Sequence, residues 1–103
     1  MTPRLVSIHR LAGRELRRTA RRYGRVSPST EQRFRTAVGR ALTRIANAAE
    51  QCSPYGQQFR WVRAGRFPYI IYFQVISATE ATIYAVGHEK RRPGYWFRRV
   101  GRP

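Results

Sequence analysis

Apolar positions along this chain change period as the sequence runs, and each change predicts an element. Leu5-Val6-Ser7-Ile8-His9 is short, β-branched and alternating, with Leu5 and Ser7 on one side and Val6 and Ile8 on the other, which predicts a first strand. From about Leu11 the period lengthens. Ala12, Leu16, Ala20 and Tyr23 recur at three- and four-residue spacing, while Arg14, Arg17, Arg18, Arg21 and Arg22 fill the other face. That predicts an amphipathic helix with an arginine exterior, stopped at Gly24.

Ser27-Pro28-Ser29-Thr30 reopens the chain with helix-start chemistry. Ser29 as N-cap and Gln32 three residues on make a capping-box pattern, so a second helix is expected from about residue 29. Its buried stripe reads Phe34, Val38, Ala41, Leu42, Ile45, Ala49 and Cys52, and Cys52-Ser53-Pro54-Tyr55-Gly56 ends it. Three strands follow. Gln58 to Arg63 alternates, Tyr69 to Ile76 is nearly all apolar, and Ala81 to Val86 is the third, with Ala64-Gly65-Arg66 and Ser77 to Glu80 as turns. Short connections favour an antiparallel meander. The expected class is therefore α+β, in the order β-α-α-β-β-β, with a helical hairpin packed on a small, mainly antiparallel sheet. One domain over residues 1–97 is expected, with the polar residues 98–103 trailing as a basic arm.

Length and charge sharpen this reading. The chain has 103 residues, which holds one modest core and no second domain. Its 6 Tyr, 5 Phe and 2 Trp set it apart from disordered sequences. Against 21 basic residues stand five acids, Glu15, Glu31, Glu50, Glu80 and Glu89, for a net charge of +16. Charge of that density destabilises the compact state by self-repulsion and draws the protein to polyanions or to an acidic protein. All the cations but Lys90 are arginine, which favours bidentate contacts to phosphate and carboxylate. No segment approaches the roughly 18–20 apolar residues needed to span a bilayer, so no membrane association is expected. Cys52 is the lone cysteine and there is no signal-peptide pattern, so a reducing cytoplasm is the expected compartment. One Cys and two His, at positions 9, 52 and 88, have no zinc-ligand spacing, and neither metal nor cofactor is expected.

The last third carries the specific signal. Arg66-Phe67-Pro68-Tyr69 leads into the penultimate strand, Ala85-Val86-Gly87-His88 leaves the last one, and His88-x-x-Arg91-x-Pro93-x-Tyr95-Trp96 follows. Together with the element order, these residues resemble the RelE/ParE superfamily of bacterial type II toxin–antitoxin modules. The resemblance implies a toxin held inactive by a small antitoxin that wraps its surface, here expected to be acidic, in a hetero-oligomer. Its RelE-like branch cuts mRNA in the ribosomal A site without metal, whereas its ParE-like branch poisons DNA gyrase and is not known as a nuclease. Phe67-Pro68-Tyr69 and the Pro-Gly-Tyr-Trp ending look more ParE-like.

Metal-free RNA cleavage needs a proton acceptor for the 2′-hydroxyl, cations for the phosphate, an acid and a stacking surface. For that reading the catalytic candidates are Arg63, His88, Arg91 and Tyr95, with Glu89 as an alternative acceptor. Ile70 stands where many relatives carry a mid-strand Arg, which lowers the catalytic density of the sheet. For target binding the candidates are Arg60, Arg66, Lys90, Arg91, Tyr95, Trp96, Arg98 and Arg99. Arg91 is well placed for a phosphate or a carboxylate of antitoxin or target. The arginine stripes of the two helices read as solvated or antitoxin-facing. A gyrase inhibitor is thus the first expectation, a ribosome-dependent endoribonuclease the second, and a basic RNA-binding accessory protein the third.

Overall fold

The computed structural model describes residues 2–103. Strand β1 (Leu5–Ile8) leads into helices α1 (Arg10–Val26) and α2 (Pro28–Ala48), and a single 3₁₀ turn, Ala49–Gln51, closes the helical half. Strands β2 (Ser53–Tyr55), β3 (Phe59–Arg63), β4 (Tyr69–Val75) and β5 (Glu80–His88) follow, then a second 3₁₀ turn at Phe97–Arg99. One sheet forms in the order β1-β5-β4-β3-β2. β1 runs parallel to β5 because the helical hairpin carries the chain across the sheet between its outer strand and the rest; every other pair is antiparallel. The α+β class and the helical hairpin on a small sheet are as the sequence implies, with one strand more than expected.

The hairpin is tighter than its sequence suggests. Gly24 does not stop α1; the helix runs on to Val26, and Ser27 alone connects the two helices. Its backbone is extended at φ −169°, its N–H donates to the Tyr23 carbonyl at 3.2 Å, and its Oγ accepts from the Thr30 N–H at 3.1 Å. Ser27 rather than Ser29 is therefore the N-cap, because Pro28 fits the first helical position, where no N–H is needed. Gln32 bonds forward to Thr36 instead of back to the cap.

Helical periodicity places one face of each helix on the sheet. Phe34, Val38, Ala41, Ile45 and Ala49 of the α2 side are buried against Ile71, Phe73, Ala81 and Ile83. Leu42, expected in the same stripe, is only partly buried at its margin. Tyr23, Phe34, Phe67 and Tyr69 lock the connected end of the hairpin, near Ser27, through tilted and edge-on ring contacts with centroids 4.9–6.1 Å apart.

The opposite face of the sheet differs from expectation. Residues 98–103 do not trail. The chain turns at Pro93-Gly94 and lays Trp96 and Val100 over Tyr55, Phe59, Tyr72 and Tyr84. A bulge in β5 makes this possible. Tyr72 pairs with Ala85 but Phe73 pairs with Ile83, leaving Tyr84 as the extra residue, so Tyr84 and Ala85 both serve the tail-covered face. The expectation of a free arm failed because the anchor of this segment is a carboxylate on α1, far away in sequence.

Candidate functional site

That carboxylate is Glu15, on the second turn of α1 and the only acid of that helix. Its Oε1 accepts from the Val86 N–H at 3.0 Å, and its Oε2 accepts from the Tyr95 hydroxyl at 2.9 Å. Arg99 grips both oxygens, with Nη1 at 2.8 Å and Nη2 at 3.0 Å, and its Nη1 also donates to the Tyr84 carbonyl at 2.9 Å. Helix, sheet and tail thus meet at one charge. His9 adds a second tie: its Nδ1 accepts from the Leu11 N–H, which leaves the ring proton on Nε2, and Nε2–H donates to the Arg102 carbonyl at 2.9 Å.

Two glycines shape the connection. A side chain at Gly87 would collide with the Tyr95 ring, so the β5 backbone is bare where the ring crosses it. Gly94 takes φ +73° in the reversing turn, a conformation that L side chains rarely adopt.

Around this anchor the sequence-nominated residues separate. Trp96, expected on the target-binding surface, is 0% exposed and points inward, with its ring parallel to that of Tyr84 at 6.1 Å. It faces inward because the tail folds back. Its indole N–H finds no hydrogen-bond partner among the described residues. Tyr95 is partly buried; burial and the adjacent Glu15 carboxylate push its phenol far above the ordinary value of 10.0, so it is an unfavourable proton donor. Arg99 is 14% exposed and fully engaged, whereas Arg91 is 53% exposed, its guanidinium 3.9 Å above the Tyr95 ring and 3.5 Å from Glu15.

Of the four catalytic candidates, His88 and Arg91 line one cleft and Arg91 covers the Tyr95 ring, while Arg63 lies apart. Arg63 pairs with Ile70, which lies on the tail-covered face, and forms an ion pair with Glu89 at 2.7 Å. His88 pairs with Tyr69 and so lies on the helix-covered face, where its ring meets the Tyr69 ring edge-on. Its Nδ1 accepts from the Lys90 N–H at 3.1 Å, a turn-forming role. Glu89, the alternative proton acceptor, is taken by Arg63. Of the binding candidates, Arg60 turns to the Cys52 carbonyl at 2.8 Å, while Arg66, Lys90, Arg91 and Arg98 remain exposed. Cys52 is buried at the end of the helical half, and burial raises its thiol pKa, which removes it as a nucleophile.

Sequence reading missed Glu15, and with it a cleft between α1 and the end of β5. Arg18 and Arg22 stand on one side, His88 and Arg91 on the other, in a hollow of about 200 Å³. The available signal was the isolation of Glu15 among the arginines of its helix, beside the apolar position Leu16.

A helical hairpin over a five-stranded mixed sheet, ending in an exposed cationic turn, is the architecture of a small type II toxin. The chain matches the family of ParE toxins of type II toxin–antitoxin systems, parDE, over residues 6–93, most of its length, and it belongs to that family. A comparison with curated proteins returns no match. Membership brings an antitoxin as partner. No helix among the described residues is long and apolar enough to cross a membrane.

Proposed function

We propose that this toxin arrests growth in the cytoplasm by binding DNA gyrase, without catalysing a reaction of its own, and that an acidic antitoxin neutralises it. The observation that carries the reading is that the acid–base candidates are each engaged in a structural contact. Glu89 is held by Arg63, His88 spends its acceptor nitrogen on the Lys90 N–H, and Tyr95 donates its proton to Glu15, so although His88 and Arg91 line one cleft, no nominated proton acceptor or acid is free beside that cation. The exposed cations Lys90, Arg91 and Arg98, presented on a tail clamped by Glu15, are suited instead to binding a surface. Family membership supports a toxin, and gyrase is the target for which the ParE family is known.

The acidic character of the antitoxin follows from charge. A net +16 is relieved by a partner rich in Asp and Glu, and covering the groove of Arg33, Ala37, Arg40 and Phe67 would bury apolar surface at the same time.

Tightly controlled induction with parallel thymidine and amino-acid labelling tests the target. Thymidine incorporation falls first if gyrase is bound, and purified toxin then inhibits supercoiling, with inhibition lost in the K90A/R91A/R98A variant. An earlier fall in amino-acid incorporation would overturn this reading in favour of a translation-targeting nuclease.

A further inference from the structure

The cleft between α1 and the end of β5 is a cationic site of which the gyrase reading uses only Arg91. Its cations are unusually free. Glu50 pairs with Arg4, Glu31 with Arg35, and Glu89 with Arg63. The only carboxylate lining the cleft is Glu15, and both of its oxygens are held by Arg99. Arg18 makes no hydrogen bond or ion pair among the described residues, and Arg22 donates only to the Tyr69 hydroxyl, at 3.2 Å. Arg91 faces them from the other wall, in a long 3.5 Å pairing with Glu15 and half exposed over the Tyr95 ring.

Helix geometry extends the site. Arg14, Arg18 and Arg22 recur at four-residue spacing, so they form one exposed row rising about 6 Å per step. Like charges at this spacing destabilise a helix, and Arg91 across the cleft adds to the repulsion. A string of anions lying along the row would relieve it. The Nε2 of His88 carries the ring proton in the neutral form, since Nδ1 accepts from Lys90, and adds a donor to the cleft lining.

We propose that this row and cleft dock the phosphodiester backbone of DNA, successive phosphates seated against Arg91, Arg22 and Arg18 and running on toward Arg14. A nucleic acid is favoured over an acidic polypeptide by the shape of the site. Forked guanidinium donors converge from two walls on a small hollow whose buried ring, Tyr69, offers only its hydroxyl. An acidic amphipathic segment needs apolar anchorage, which lies elsewhere, beside Ala37 and Phe67 on the α2 groove. The contacts are to backbone and not to bases, so binding is independent of sequence.

The test uses the full-length protein and a fluorescein-labelled DNA duplex, with affinity followed against salt. Replacing the three site cations in R18Q/R22Q/R91Q should lower the slope of log K against log salt by about 3, one for each phosphate no longer neutralised. Replacing three exposed arginines of α2 in R33Q/R40Q/R44Q should change the slope by less than about 1. Equal losses in the two variants would mean diffuse attraction by net charge and would overturn the site. So would an unchanged slope in the first. R18Q/R22Q, which leaves the tail untouched, keeps the test valid if the triple variant misfolds, with an expected slope change of about 2. Selective loss of binding to polyglutamate with DNA binding retained would also overturn it, in favour of an acidic protein partner. Parallel titrations with single-stranded DNA and RNA show which polynucleotide fits the row; preference for RNA over both DNA forms counts against the proposal.

Discussion

The two faces of the sheet are closed by different means. On one, two helices bring a continuous stripe of apolar side chains, and burial is spread over Phe34, Val38, Ala41, Ile45, Ile71, Phe73 and Ile83. On the other, a tail of about one turn brings Trp96 and Val100, and its polar hold centres on one carboxylate, with His9 as a lesser tie. The first closure is redundant, because removing one side chain leaves many others in place. The second is conditional. A toxin that shows its tail cations to a target needs that segment held still, and the structure does this from α1 rather than from within the tail.

The difference predicts how each face breaks. Phe34→Ala removes a fully buried ring from the helix-side core, and should cost about 3–5 kcal/mol. Because helices and sheet share that core, urea unfolding should remain a single transition with its midpoint lowered. Glu15→Ala should cost less, about 3 kcal/mol, since it strands the Arg99 guanidinium and frees the Val86 N–H and Tyr95 hydroxyl. Its signature is local. Amide exchange should rise through residues 94–102 while α1 and α2 keep their protection, and Trp96 fluorescence should shift to the red as the indole meets water. Uniform loss of protection along the chain would show that the tail is as integral as the helices.

Sequence legibility divides along the same line. The helix-side stripe could be read residue by residue, because amphipathic periodicity is a local property, and six of its seven expected members on α2 and the following turn are buried. Capping was misread by two residues, since Ser27 and Ser29 both offer the right oxygen and only the tight connection selects the first. The strand Ser53–Tyr55 was hidden in what looked like a helix end, with Pro54 arguing against it; it lies at the sheet edge, where proline is tolerated. The tail-covered face was not legible. Its anchor joins residues 84 positions apart, and no pattern in the sequence distinguishes Arg99, which is buried on Glu15, from Arg98, which is exposed. Trp96 was assigned to a binding surface for the same reason: an aromatic at the end of a basic segment reads the same whether it faces solvent or a sheet.

The smallest effect separates the faces by pH. Burial and Glu15 raise the Tyr95 phenol above its unfolded value of 10.0, so the native state holds that proton more tightly than the unfolded chain. Stability from this group is complete below the ordinary phenol value and falls as pH rises past it toward the native one. Tyr23, in the helix-side ring cluster, and Tyr72, on the tail face, are also shifted upward by burial, so the alkaline limb has contributions from both sides. In Tyr95→Phe the decline of melting temperature between about pH 9 and 11 should become shallower, while at neutral pH the loss of one hydrogen bond costs about 1 kcal/mol. The two effects have opposite sign, so the melting curves of the two proteins should approach each other as pH rises. A constant offset at all pH values would mean that Tyr95 gives up its proton as readily in the folded protein as in the unfolded chain, and that the tail is open to solvent at its anchor.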